Sequence, residues 1–372
     1  MHLLIDLQHI QFSFNTGIIN FSFDLVKGFV KYSNWDIVLL VWDDQEGFID
    51  KNLGIDLPKI VVSSQLKKVS RLRRGLCPSS VKKEIDKRGV DVILTVCFTI
   101  SSYLYPKKYH QIGVIHDIQL LKIRLQERDL PCALYMFSNM FVYFRLLKNL
   151  VTISDFVRHD VKKLCGRDSG VIYNSICRNK ENEQEIETIK STPYILDVNS
   201  FFKYKNTENL IRAFSRIKDI IPHVLYLKGY KDDDIRYEEL IGFIKSEGCE
   251  GRIIMDITNR TTEEMNYLYN HADLFVSPSF MEGFGMTPIE AALHQVPVIV
   301  SNIGTLLEVT DGLVPTFDPK NVESISDAIL KVLYNPPLEK ELHHIADHFR
   351  NKYSLENQVR SYMSLIDTVM NA

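Results

Sequence analysis

The chain has 372 residues, 45% of them hydrophobic and 24% charged, with a formal net charge of -3. At about 150 residues per domain the length points to two or three domains, and the composition is that of a globular protein. The slightly acidic balance excludes nucleic acid as a general partner, because such binders usually carry a strongly basic domain.

In chain order, strand patterns fall at 2–7, 37–42, 59–63, 91–96, 112–115 and 149–153, with helical patterns at 17–32 and 132–148. A second series begins at 194–199 and continues at 224–228, 252–256, 273–277 and 297–301. Helices are expected there at 207–219, 236–247, 262–271, 288–294 and 322–334. Nearly continuous apolar strands alternating with helices imply parallel sheets covered on both faces. The polar run at 178–192 reads as a linker or exposed helix between the halves. The expected fold is therefore α/β, two Rossmann-like doubly wound parallel-sheet domains facing across a cleft. Residues 1–175 form the first domain and 176–352 the second. Residues 353–372 form a helix expected to pack back on the first. Ligands of such sheets bind outside the carboxyl ends of the strands, so the cleft is the expected site.

The six cysteines, Cys77, Cys97, Cys132, Cys165, Cys177 and Cys249, form no C-x-x-C pair. They are expected as reduced, mostly buried thiols of a cytosolic protein, with no zinc or thioredoxin-type site. The first residues, His2 to Leu7, enter a strand pattern directly, so no signal peptide is expected. No run approaches the roughly 18 apolar residues of a membrane span.

Residues 277–290 read Ser-Pro-Ser-Phe-Met-Glu-Gly-Phe-Gly-Met-Thr-Pro-Ile-Glu. A buried strand ends at Ser277 and a glycine loop follows. Thr287, Pro288 and Glu290 have the pattern of a capped helix start, with Thr287 as the cap. Strand, glycine loop and helix start together make an anion site, since glycines admit close approach and free N–H groups favour phosphate. Glu282 sits at the loop mouth, where a carboxylate can accept bonds from sugar hydroxyls. Glu290 taken alone is equally well read as a capping-box residue.

The run E-G-F-G-x-x-P-x-E, followed by Ala291-Ala-Leu and Pro297-Val-Ile-Val-Ser301, resembles the E-x7-E signature of glycosyltransferase family 4, retaining enzymes of the GT-B fold. Leu268 to Asp273, Leu307-Glu-Val309, Phe317-Asp-Pro319, Lys205-Asn206, His116-Asp117, Ile153 to Phe156 and Ile172-Tyr-Asn174 extend the likeness over nearly the whole chain. The likeness is to mannosyltransferase-like members. The resemblance implies that Glu282 contacts the donor sugar and Glu290 the ribose hydroxyls. Gly283, Phe284 and Gly285, continuing into Met286 and Thr287, would line the donor. Lys205 would bind the diphosphate, and His116 would face the donor sugar. Gly17, in Asn15-Thr16-Gly17, would lie near the phosphates. His116, Lys205 and Glu282 are thus the expected catalytic residues. Relatives often carry an arginine five positions before the lysine. Here that position is Ser200, and Lys203 is the nearest substitute charge.

The resemblance implies a nucleotide-sugar donor, with GDP-mannose-like donors favoured, and a glycan or lipid-linked oligosaccharide acceptor. It also implies a place in bacterial surface polysaccharide assembly. No metal ligand set is assigned, and metal-independent activity without a cofactor is expected. Asp232-Asp233-Asp234 contains D-x-D but reads as a solvated turn. The basic stretch 66–90 suits either a solvated surface or anionic headgroups, and so a cytoplasmic protein peripheral on the inner membrane face. The aromatic run 130–144 reads as a core helix, with a border on a lipid-linked acceptor as the alternative. Competing functions are a nucleotide-sugar 2-epimerase, which lacks this E-x7-E arrangement, and an inactive nucleotide-binding scaffold. A dehydrogenase is disfavoured because no G-x-G-x-x-G follows the first strand.

Overall fold

The computed structural model describes residues 1–10, 17–68, 77–99, 102–177, 182–230 and 234–371. They divide into two compact units, Met1–Ser175 with Tyr353–Ala372, and Ile176–Lys352.

The first unit holds a parallel sheet of seven strands in the order β3-β2-β1-β4-β5-β6-β7. These are β1 (His2–Asp6), β2 (Asp36–Trp42), β3 (Lys59–Val62), β4 (Val92–Thr95), β5 (His110–Ile115), β6 (Asn149–Thr152) and β7 (Gly170–Val171). Leu4, Val38, Leu40, Ile60 and Ile93 bury one sheet face against Val81 and Ile85 of helix Ser79–Lys87. The carboxyl-terminal helix Leu355–Met370 lies on helix Gly17–Tyr32, with the Phe29 and Tyr362 rings 6.3 Å apart. Gly28 permits that approach, because a Cβ there would lie 2.6 Å from Val359 Cγ2.

The second unit holds six parallel strands in the order β10-β9-β8-β11-β12-β13. These are β8 (Tyr194–Val198), β9 (Val224–Lys228), β10 (Ile253–Asp256), β11 (Leu274–Ser277), β12 (Val298–Ser301) and β13 (Thr316–Phe317). Ile195, Leu225, Leu227, Leu274, Val276 and Ile299 form its core with Leu210 and Phe214 of helix Thr207–Ile217. Ile325 and Ile329 of helix Val322–Tyr334 join them. Leu274 lies opposite Ile195, and Val276 opposite Ile299. From β8 the chain steps outward to β9 and β10, and from β11 outward the other way. The β8/β11 boundary is therefore the switch point, where the two following loops diverge and leave a crevice.

Several expectations need correction. The polar run is no free linker: of its described part, Glu187–Ile189 is a short 3-10 turn and Ile186 and Ile189 are buried. The segment is tied to helix Thr262–Asn270, with Gln184 N donating to Glu263 O and Asn266 Nδ2 to Asn182 O. Two isoleucines among charges suffice to anchor it. The helix expected at 132–148 spans Leu130–Leu146 and is not a core helix, since only Ala133, Met136 and Phe144 are buried along it. Of the cysteines, Cys77, Cys165 and Cys249 are buried, Cys97 and Cys132 partly so, and Cys177 is exposed; all six are free thiols. Among the described residues no helix is long and apolar enough to cross a membrane. Asp232 and Asp233 of the D-x-D lie outside the described residues. So do Arg71, Arg73 and Arg74 of the basic stretch, and Asn15 and Thr16 before Gly17.

Candidate functional site

The second unit's switch point gathers two loops. After β8 the chain runs through Asn199 to a 3-10 turn, Lys203–Lys205, and Asn206 caps the next helix at φ 63°. After β11 it runs through Pro278 to Gly285. Asn206 Nδ2 donates to Pro278 O at 2.9 Å and to Pro319 O at 2.8 Å, and Phe280 N donates to Tyr204 O at 2.8 Å. The two loops are thereby fixed to one another by short bonds from buried groups.

Within that frame Lys205 Nζ donates to Glu282 Oε1 at 2.8 Å and to Oε2 at 3.0 Å. Ser279 Oγ donates to the same Oε1 at 2.7 Å, and Thr305 Oγ1 holds the Glu282 carbonyl at 2.9 Å. Burial alone lowers a lysine pKa, but the Glu282 carboxylate outweighs it and holds Lys205 above its ordinary value. Lys205 is therefore a fixed positive charge at neutral pH. Asp197, buried beneath on β8, is pushed up to about 7 by burial, against the hydrogen bond from Asn199.

Gly285 takes φ 89°, a left-handed value that disfavours side chains. A Cβ there would also lie 2.5 Å from Leu306 Cδ2. It caps helix Met286–Leu293 and, being a glycine, contributes no side-chain cap bond. This corrects the expected capping box. Thr287 and Pro288 lie inside the first turn, where a missing proline N–H costs nothing. Glu290 lies a turn further on, buried, and its Oε2 accepts from Tyr269 Oη at 2.8 Å. Tyr269 in turn stacks on His294, whose Nδ1 bonds Asn270 Oδ1 at 2.7 Å. The first-turn N–H groups of a helix have no partner within it and carry the positive end of its dipole, so this start remains an anion-binding feature.

In the first unit, His116 follows β5 and is buried, with its ring edge-on to Phe21 at 4.9 Å. Its Nε2 donates to Val96 O at 2.8 Å. Burial lowers its pKa, so the ring is neutral at pH 7. Asp117 caps the following turn through Gln119 N at 2.8 Å. Asp6, at the end of β1, is pushed up to about 7 by burial. His9 is pushed down to about 3, first by burial and then by His116, and its Nε2 bonds Ser22 Oγ at 2.9 Å.

Residues 179–349 match the family model described as glycosyl transferases group 1. O-antigen chain mannosyltransferase B of Escherichia coli is 27% identical over 246 residues, 62% of this chain and 63% of that protein. The O-antigen biosynthesis glycosyltransferase WclY of Escherichia coli is 24% identical over 326 residues, 83% of this chain and 85% of that protein. The chain thus spans just under two thirds of the first relative's length. HepE of Anabaena, solved with UDP-glucose, superposes with a TM-score of 0.74 at 15% identity, covering 99% of this chain and all of that one. The fold is GT-B, and the chain resembles the mannosyltransferase-like members of family 4.

Within the second unit the structure brings together Lys205, Glu282 and the buried Gly283, Phe284 and Gly285, with Met286, Thr287 and Glu290 on the helix that follows. Ser200 is half-buried at the exit of β8 and Lys203 is exposed on the Lys205 turn. Gly17 is the exposed first residue of its helix. Sequence reasoning missed Ser279, Thr305 and Tyr269, which hold the two glutamates. It also missed Arg236, whose Nε fixes the Phe201 carbonyl at 3.0 Å. Only the Tyr269 signal was readable, because Leu268 to Asp273 was already part of the likeness.

Proposed function

We propose that the protein is a retaining glycosyltransferase that moves a hexose from a nucleoside-diphosphate sugar to a glycan or lipid-linked acceptor in O-antigen or capsule assembly. The Lys205–Glu282 pair at the switch point carries this reading. A departing nucleoside diphosphate needs preorganised positive charge, and Lys205 with the Met286–Leu293 helix start supplies it. Glu282, released from Lys205 as phosphate takes the lysine, becomes an acceptor for donor-sugar hydroxyls. Glu290, steadied by Tyr269, accepts from the ribose hydroxyls.

The similarity to an O-antigen chain mannosyltransferase favours a GDP-mannose-like donor. No side chain is assigned as a covalent nucleophile. The reading is front-face attack, in which the acceptor hydroxyl gives its proton to the departing phosphate while the C1–O bond to that phosphate breaks. Charge neutralisation by Lys205 makes turnover independent of added divalent metal.

Sugar-transfer assays with Glu282→Ala and Glu282→Gln test the proposal. Both abolish transfer while the variants keep wild-type circular dichroism. Unchanged transfer contradicts it. Conversion of the donor to its 2-epimer without acceptor replaces it with the epimerase reading.

A further inference from the structure

Helix Leu130–Leu146 is built the wrong way round for a soluble surface. Leu130, Leu134, Phe137 and Phe141 recur at helical spacing along one row, and Tyr135, Val142 and Leu146 along a second, with Ser138 and Arg145 between the two. Leu130, Leu134 and Leu146 are 63%, 69% and 65% exposed. Tyr135, Phe137 and Val142 are exposed as well. The opposite side of the helix, with Ala133 and Met136, already packs on Leu121 of helix Gln119–Gln126. That neighbour adds exposed Leu120 and Leu125. A helix apolar on both sides has one side still to be covered. Scattered exposed leucines need no explanation, but a contiguous row on one helix marks an interaction surface.

Charge decides what covers it. Residues 119–148 contain five basic side chains against two acidic ones, in a chain whose net charge is -3. Lys122 is neutralised by Asp160, and Arg124 by Glu127 and Asp129. Arg128, Arg145 and Lys148 have no carboxylate partner among the described residues. Arg145 is held at the apolar face itself, stacked over Phe141 at 5.3 Å with Nη1 donating to Cys165 O at 3.1 Å. A two-fold contact between copies would set this basic rim against itself, which is unfavourable. An apolar face with a basic rim suits a surface that is apolar within and anionic at its edge.

We propose that helix Leu130–Leu146, with Leu120 and Leu125 beside it, docks the first unit on an anionic phospholipid surface. The leucine and phenylalanine side chains enter the headgroup boundary, and Arg128, Arg145 and Lys148 meet the lipid phosphates. The helix lies in the plane of the surface and does not span it. This inference does not depend on the donor reaction, since lipid binding is measured without nucleotide or acceptor.

The test is co-flotation of the full chain with phosphatidylcholine vesicles, with and without phosphatidylglycerol. The wild type floats with the anionic vesicles and releases at high salt. Leu134→Glu with Phe137→Glu lowers the bound fraction by more than about tenfold, because two large apolar contacts are lost. Both sites are exposed, and an unchanged melting temperature confirms folding. Lys148→Glu, a milder change, weakens binding to anionic vesicles and leaves binding to phosphatidylcholine alone unchanged. Absence of wild-type flotation, or equal flotation of the double variant, overturns the proposal. It is also overturned if sedimentation shows a wild-type dimer that the double variant converts to monomer, because the face is then a contact between copies.

Discussion

Lys205 Nζ sits 2.8 Å from Glu282 Oε1, so the expected phosphate-binding cation and the expected sugar-binding carboxylate neutralise one another. Under the proposed function the pair is a resting state that a donor rearranges. Glu282→Ala leaves the lysine mostly buried without its carboxylate partner, which costs about 1–3 kcal/mol, below the range for a fully buried pair because both side chains keep some exposure. A lower melting temperature follows. Added nucleoside diphosphate restores more of it than it adds to wild type, because phosphate replaces the missing carboxylate. Calorimetry checks the corollary: affinity for the bare diphosphate does not fall while transfer is lost.

Tyr269 positions Glu290 through one bond to a buried carboxylate. Tyr269→Phe removes that bond without changing volume. That bond is made in the unliganded protein, so its loss costs about 0.5–1.5 kcal/mol of stability, and nucleotide affinity falls as the freed Glu290 carboxyl leaves the position proposed for the ribose hydroxyls. The loss appears in the donor KM, with kcat nearly unchanged, because ribose contacts are the same in ground and transition states.

Gly285→Ala forces a side chain into a left-handed backbone and against the buried Leu306. The backbone term alone is about 1–2 kcal/mol. Loop Glu282–Gly285 and the helix start move together, so donor affinity and stability both fall. Ala at Gly89, equally left-handed but with nothing within 4 Å, costs stability without touching donor affinity.

Asp6 gives a pH test. Burial raises its folded pKa from 3.8 to about 7, so the folded state holds the proton where the unfolded chain has lost it. Its contribution is complete below pH 3.8 and is lost as pH rises to about 7, by at most about 4 kcal/mol. Asp6→Asn removes that loss. The stability of the variant relative to wild type rises between pH 4 and 7 and levels off above, which denaturant unfolding at each pH measures. A difference independent of pH contradicts the assignment.

The legible part of the fold was the alternation itself. Fully apolar strands such as Leu274-Phe-Val and Val298-Ile-Val identify themselves, and helices 17–32 and 322–334 have the expected bounds. The two-residue strands Gly170–Val171 and Thr316–Phe317 were not legible, because neither is long enough to show a period. The helix start at 286 was misread for a physical reason. Threonine followed by proline is a strong cap signal, yet a left-handed glycine two residues earlier took the position. The pairing of Lys205 with Glu282 was legible only through resemblance, since 77 residues separate them and strand order alone joins them. Tyr269, Ser279 and Thr305 act through geometry that no spacing rule encodes. The apolar run 130–144 showed its composition but not that one side lacks a partner.

The most direct measurement is a thermal-shift series of UDP, GDP, ADP and dTDP on wild type and Lys205→Ala. At a hundredfold excess over Kd, one bound diphosphate adds about 2.7 kcal/mol of stability. One base raises the wild-type melting temperature, and Lys205→Ala loses most of that rise relative to its own unliganded baseline. No shift with any of the four at millimolar concentration, or an equal shift in Lys205→Ala, contradicts the assignment of this loop as a nucleotide-sugar site.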